Sequence, residues 1–294
     1  MIQTTKKNTI LVPLDFSEIA THALNHAIEV AKQFNNNLAL LHVVEEAMFT
    51  SFLSFGKNDH MEELAKEAAK ARLEKLSTEI KAKHNIDCVT EVKFGKIYKV
   101  IDESAKMLNC DSIIMGSHGA SGLDQIIGSN ASRVISHSTV PVVVVKSEQH
   151  INSYKNIVFP LDLTAESRQK VNWAIHLGKS YQSTINVFTA KTGKKEFDVK
   201  LMASLRQIEK LLTDNGINYT EKILEEADDN FALETIKYSE EINADLIMIM
   251  TQQEDKDLSE YIIGSYAQQV VNRSTKAPIM CINPKKTYTE GWSV

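Results

Sequence analysis

The hexapeptide Ile10-Leu11-Val12-Pro13-Leu14-Asp15 returns as Ile157-Val158-Phe159-Pro160-Leu161-Asp162, with the proline and the aspartate in the same places. The agreement extends down the chain. Ala244 to Met250 matches Cys110 to Met115, Gly264-Ser265 matches Gly128-Ser129, and Pro278 to Ile282 matches Pro141 with the valines Val142 to Val145. A repeat of this period is a duplicated domain and not a solenoid, because each copy can close its own core. A length of 294 residues agrees with a pair of domains of about 150 residues each. The pattern turns polar around Ser147 to Ser153, which divides the chain into 1–148 and 153–294. Only the tail from Pro284 to Val294, with Trp292, has no counterpart.

Within each copy, short apolar runs alternate with helical patterns. Ile10 to Asp15 reads as a buried strand ending on a carboxylate, and Asp15-Phe16-Ser17-Glu18 offers capping residues for a helix. Ala20, Ala23, Leu24, Ala27, Ile28, Ala31 and Phe34 form that helix's apolar face, and Asn35-Asn36-Asn37 ends it. The strand Leu38–Val44, a charged helix over about Met61–Lys83, the strand Asp87–Phe94 and the helix Ile97–Leu108 follow. In the second copy the corresponding segments are Val171–Leu177, Thr184–Ala190, Glu196–Leu212, Tyr219–Leu224 and Phe231–Ser239. Strand and helix in strict alternation predict an α/β fold: in each copy an open, Rossmann-like parallel sheet covered by helices on both faces. The last strands, Val142–Val145 and Ile279–Ile282, are both strongly apolar, and an unpaired edge of that kind is an aggregation hazard that pairing removes.

Composition excludes several classes. Charges of both signs are interspersed around a net −5, so no basic surface argues for nucleic acid. The three cysteines, Cys88, Cys110 and Cys281, lie far apart and predict buried thiols in a reducing compartment. No apolar run approaches the roughly 18 residues of a membrane span, and the start of the chain does not resemble a signal peptide. A cytoplasmic protein is expected.

The chemistry-bearing stretch runs from Asp111 to Lys146. Ile113-Ile114-Met115 breaks into Gly116-Ser117-His118-Gly119, with Gly122 behind, and Gly128-Ser129-Asn130 opens a helical segment carrying Ala131, Val134 and Ile135. Strand, glycine loop and helix start together suit a phosphate: glycines admit close backbone approach, and the helix start supplies unpaired N–H groups and the positive dipole end. Tight turns alone would also explain the glycines. The spacing Gly116-x2-Gly119-x8-Gly128-Ser129, set between apolar strands, resembles the nucleotide motif of the universal stress protein family. Its second gap is one residue shorter than that family's usual pattern. The resemblance covers nearly the whole chain as a tandem-domain member, and implies domains like those of the adenine nucleotide α-hydrolases, packed on each other through antiparallel pairing of their last strands.

The resemblance further implies a site for ATP, with or without magnesium. Asp15 would contact the nucleoside, Val43 and Pro13 would pack by the adenine, and Gly116, Gly119, Gly128, Ser129 and Asn130 would line the phosphates. Alone, Asp15 also reads as a helix cap and Val43 as core. His118, between the two glycines, could face a phosphate or act as an acid–base group, but the sequence names no base, orienter or nucleophile to act with it. His22 and His26 share a helix face at a metal-binding spacing, yet no zinc motif surrounds them. The link bearing Phe49, Phe52 and Phe55 reads either as a lid over the nucleotide or as the packed edge of the core, with the core favoured. In the second copy the loop Gln252-Gln253-Glu254-Asp255-Lys256-Asp257 replaces the glycines with carboxylates, which predicts one nucleotide per chain, in the first half. The functional expectation is an ATP-binding stress-response regulator or interaction module, built as an intrachain pseudo-dimer and able to dimerise again. The alternatives are a ligand-free structural pseudo-dimer and an ATP-using enzyme of the same superfold. The enzyme reading lacks its Ser-Gly-Gly loop, because Pro13-Leu14-Asp15-Phe16-Ser17 stands there. No Walker lysine is visible, so ATP turnover is expected to be slow at most.

Overall fold

The computed structural model describes residues 8–45, 59–118, 127–147, 153–164, 166–225, 230–251, 265–274 and 276–284. The first repeat contains β1 (Thr9–Pro13), α1 (Glu18–Phe34), β2 (Asn37–Val44), α2 (Asp59–His84), β3 (Cys88–Phe94), α3 (Ile97–Met107), β4 (Ser112–Gly116), α4 (Ser129–His137) and β5 (Val142–Val145). The second contains β6 (Asn156–Pro160), a short 3-10 turn (Glu166–Arg168), α5 (Val171–Tyr181), β7 (Thr184–Ala190), α6 (Lys195–Asp214), β8 (Asn218–Leu224), α7 (Phe231–Glu241), β9 (Leu246–Met250), α8 (Ser265–Arg273) and β10 (Ile279–Ile282). Phe49, Phe52, Phe55, Gly119, the 252–257 loop, Gly264 and the tail beyond Pro284 lie outside the described residues.

All ten strands form one sheet, in the order β3-β2-β1-β4-β5-β10-β9-β6-β7-β8. Strands within a repeat are parallel. The repeats meet where β10 runs antiparallel to β5, with Met280 opposite Val143, which is the expected pairing of the last strands. Side chains alternate between the sheet's two faces. Ile10 and Val12 enter a core shared with α1, α2, α5 and α6, while Leu11 enters a second core with α3, α4, α7 and α8. The architecture is therefore a helix–sheet–helix sandwich in each half, with both faces of the parallel strands covered.

Local chemistry sets the helix ends. Ser17 caps α1, its hydroxyl accepting from the Ala20 N–H at 3.2 Å. Asn35 and Gln182 end α1 and α5 in the left-handed region, at φ 53° and 54°. Asparagine tolerates that conformation well. Glutamine gives no such signal, so α5 runs past the Leu177 end read from the sequence. Among the described residues, no helix is long and apolar enough to cross a membrane. The three cysteines are free thiols.

A buried polar pair also crosses between the repeats. His26 on α1 turns inward, and its Nε2 shares a 2.5 Å hydrogen bond with the Tyr154 hydroxyl just before β6. Burial pushes the His26 imidazole down from 6.5 to about 4, against the opposing pull of Glu29. Between those two values the unfolded chain takes up a proton that the fold refuses, so stability falls as pH drops through the window. The loss attributable to this group is on the order of 3 kcal/mol. Urea unfolding at pH 7 and pH 4.5 should show a smaller pH effect in His26→Gln than in the wild type. Equal slopes in the two proteins would remove His26 as the cause.

Candidate functional site

β1 lies between β2 and β4, so the chain leaves β1 towards one side of the sheet and returns on the other. At such a reversal the loops beyond the carboxyl ends part and leave a crevice. A cleft of about 330 Å³ opens there. Leu41, Val43, Ile97, Ile101 and Met115 form apolar walls, while Asp15, Gly116, His118, Gly128, Ser129 and Asn130 supply the polar lining. Of the residues singled out from the sequence, Pro13, Asp15, Val43, Gly116, Gly128, Ser129 and Asn130 meet in this cleft. Gly119 lies outside the described residues.

Gly116 is demanded by packing. A Cβ there would lie 2.6 Å from Ile19 Cγ2 and 3.3 Å from the Ile19 carbonyl carbon, so α1 presses directly onto the end of β4. At Gly128 a Cβ would come within 3.3 Å of His118 Cα. The loop closes through the backbone: Ser117 N–H donates to the Val145 carbonyl at 3.0 Å, and Gly128 N–H to the Ser117 carbonyl at 2.9 Å. Gly128 thus contributes close approach, its own N–H being engaged by the loop. It is also the N-cap of α4 and has no side chain to bond the first-turn amides. Those of Ser129, Asn130 and Ala131, all on residues lining the cleft, form a helix start suited to an anion.

Asp15 is exposed, and its Oδ1 accepts from the Ser17 N–H at 3.0 Å and the Ser17 hydroxyl at 2.6 Å. The cap of α1 is Ser17, and Asp15 braces that cap while lining the cleft. Asp162 does the same for Thr164, at 2.8 Å and 2.5 Å. Between Asp15 and Ser17, Phe16 holds φ 64°, a left-handed backbone that strains a bulky residue by about 1 kcal/mol or more. Its ring lies stacked on His42 at 4.8 Å with the Arg72 guanidinium at 4.2 Å, and His42 Nδ1 bonds the Leu14 carbonyl at 2.6 Å. Aromatic and cationic contacts hold the strained turn in place. Nothing in the one-dimensional pattern marks Phe16, His42 and Arg72 as neighbours.

Among the described residues, the second repeat carries aromatic rings at the equivalent positions. Leu41 sits opposite Pro13 across the strand pair, and Phe188 sits opposite Pro160. Ile97 opens α3 as Phe231 opens α7, Ile101 corresponds to Thr235, and Asn130 on α4 corresponds to Tyr266 on α8. Phe188 stacks on Phe231 at 5.5 Å, Phe231 on Tyr266 at 5.5 Å, and the Tyr266 hydroxyl bonds Thr235 Oγ1 at 3.1 Å. The counterpart of Gly116, Met250 at the end of β9, is buried. Lys170 is inserted beneath the loop, its ammonium bonded to the Pro160 carbonyl and to Ser167 Oγ and 4.6 Å from the centre of the Phe159 ring. Burial pushes its amine down to about 8 despite the nearby Asp162 carboxylate. The stack joins β7, α7 and α8, and nothing in the spacing of Phe188, Phe231 and Tyr266 along the sequence marks them as neighbours.

The fold and cleft define a class: a duplicated α/β protein whose first copy keeps an open crevice at the sheet's switch point. The model of the universal stress protein family matches residues 7–146 and again 153–283, and the chain belongs to that family of stress-response proteins. A universal stress protein of Methanocaldococcus jannaschii is 33% identical over 138 residues, spanning 47% of this chain and 81% of its own. Universal stress protein G of Salmonella typhimurium is 32% identical over 144 residues, spanning 47% and 98%. The crystal structure of a universal stress protein from Archaeoglobus fulgidus shares the fold across both repeats, with a TM-score of 0.77 over 95% of this chain and 99% of that one, at 22% identity.

The close approach at Gly116 is directly measurable. Gly116→Ala should lower the unfolding free energy by about 1–3 kcal/mol, the usual effect of overpacking. An unchanged urea midpoint would mean that α1 does not press on β4 as described.

Proposed function

We propose that the first repeat binds one adenine nucleotide, ATP with or without magnesium, and that the chain acts in the stress response as a nucleotide-dependent regulatory or interaction module. The observation that carries this reading is the meeting in one cleft of an uncapped helix start, two glycines required for close approach, an apolar slot and a carboxylate. Each suits a different part of the ligand. The amides of α4's first turn and the helix dipole suit phosphates. Leu41, Val43, Ile97 and Ile101 suit a planar base that is desolvated on binding. Asp15 suits ribose hydroxyls, which it would accept from, and it would be repelled by phosphates.

The second repeat is not a second site in this reading. Phe188, Phe231 and Tyr266 occupy the positions that would hold a base, and in the sequence Gln252-Gln253-Glu254-Asp255-Lys256-Asp257 replaces the glycines of the first repeat with carboxylates. Turnover is slow at most. Phosphoryl transfer needs charge stabilisation by a metal, lysine or arginine, and the described lining residues include neither basic type.

Titration calorimetry of the full chain with ATP should give a stoichiometry near one. Gly116 is unsuitable for the diagnostic substitution because a side chain there collides with Ile19. Ser129→Asp is suitable: the residue is exposed in the first turn of α4, where a carboxylate favours the helix but opposes phosphate. It should weaken ATP by about tenfold or more, at roughly 1–4 kcal/mol for a close charge pair near a surface. No binding by the wild type, or two equivalent sites per chain, would defeat the proposal.

A further inference from the structure

The helix that opens onto the first cleft is fastened at both ends by the second repeat. Ile127, directly before the Gly128 cap, is buried, and its N–H donates to Asn272 Oδ1 on α8 at 3.0 Å. The Asn272 backbone carbonyl in turn accepts from Lys146 Nζ at 2.6 Å. Lys146 directly follows β5, whose Val145 pairs with Gly116 and accepts the Ser117 N–H. Asn272 therefore binds both the loop entering α4 and the strand end beside Gly116. At the far end of α4, Asn283 Nδ2 donates to the carbonyls of Ile135 at 2.6 Å and Ser138 at 2.7 Å. Its own Oδ1 is held by the Thr251 hydroxyl at the end of β9.

We propose that the second repeat sets the phosphate affinity of the first by positioning α4 through Asn272, with Asn283 as the fixed point at the other end. The proposal rests on the nucleotide reading of the first cleft. The physical reason lies in where each part of that cleft is anchored. Leu41, Val43 and Met115 are held by the sheet, and Ile97 and Ile101 by α3, all within the first repeat. Immediately before the cap of α4 stands the buried Ile127, and the acceptor for its part-buried N–H is supplied across the repeat boundary. A buried N–H that loses its acceptor is costly, so the loop shifts to find another. That shift displaces the Ser129 and Asn130 amides and leaves the apolar slot in place. A partner that moves α8 would change ATP affinity without touching the cleft.

The test compares the full-length wild type with Asn272→Ala, titrating ATP and adenosine separately and following amide hydrogen exchange at Ile127. Loss of one hydrogen bond should weaken ATP by about threefold to tenfold. Adenosine affinity should stay unchanged, and exchange should accelerate at Ile127 but not at Leu11 in β1. A purely structural role would weaken both ligands alike, and that result overturns the proposal, as does unaltered protection of Ile127. Asn272→Asp, which keeps the acceptor, should keep Ile127 protected. If the alanine variant does not fold, Asn272→Leu removes the same acceptor with more bulk and is judged by the same criteria. Wild-type protein that binds adenosine and ATP normally, with an unaffected variant, defeats this inference alone. Wild-type protein that binds neither defeats the nucleotide reading and this inference with it.

Discussion

The antiparallel pairing of β5 with β10 is the contact on which the rest of the molecule depends. Without it each half would present a short, wholly buried-type strand, Val142–Val145 or Ile279–Ile282, as an open edge. With it the edges of the continuous sheet move outward to β3 and β8, which carry charged residues such as Glu91, Lys93, Glu221 and Lys222. The same pairing brings α4 and α8 near the seam, so a side chain at the end of one repeat can serve the backbone of the other. The links through Asn272, Asn283 and Lys146 are consequences of that placement. On the opposite face the buried His26–Tyr154 bond does similar work.

Duplication kept the scaffold and let the crevices diverge. Both copies retain the aspartate that braces the first strand-to-helix turn, through Ser17 in one and Thr164 in the other. An aspartate at this position therefore has a structural reason to be present in both repeats, and by itself it does not mark a ligand site. The stronger distinction lies in the walls. Leu41, Ile97 and Asn130 line the cleft in the first repeat, while Phe188, Phe231 and Tyr266 form a ring stack at the equivalent positions of the second. Aromatic rings at those positions contribute dispersion contacts and buried area.

Much of the fold was legible because buried parallel strands read as unbroken apolar runs, as at Ile113-Ile114-Met115, and because the proline–aspartate strand end occurs twice. The gathering of Asp15, Val43 and Gly116 followed from topology, since all three stand at carboxyl ends of neighbouring strands. The cleft walls were less visible. Leu41, Ile97 and Ile101 are ordinary core types, and sequence cannot say that a leucine faces a crevice and not a helix. Capping chemistry was ambiguous because Asp15 and Ser17 are both good caps, and only geometry shows the serine bonded to Ala20. The left-handed Phe16 and Gln182 broke the usual residue preferences and so left no mark. Asn272 and Asn283 were invisible for a simpler reason: each works on a backbone group more than 140 residues away.

The most direct test of the account is a crystal structure of the full chain grown with excess ATP. One nucleotide should lie in the first repeat, its base between Val43 and Ile97 and its phosphates on the Ser129 and Asn130 amides, with the Phe188–Phe231–Tyr266 stack unmoved. Nucleotide density in the second repeat with Tyr266 swung aside, or a first cleft closed by its own side chains, would contradict it.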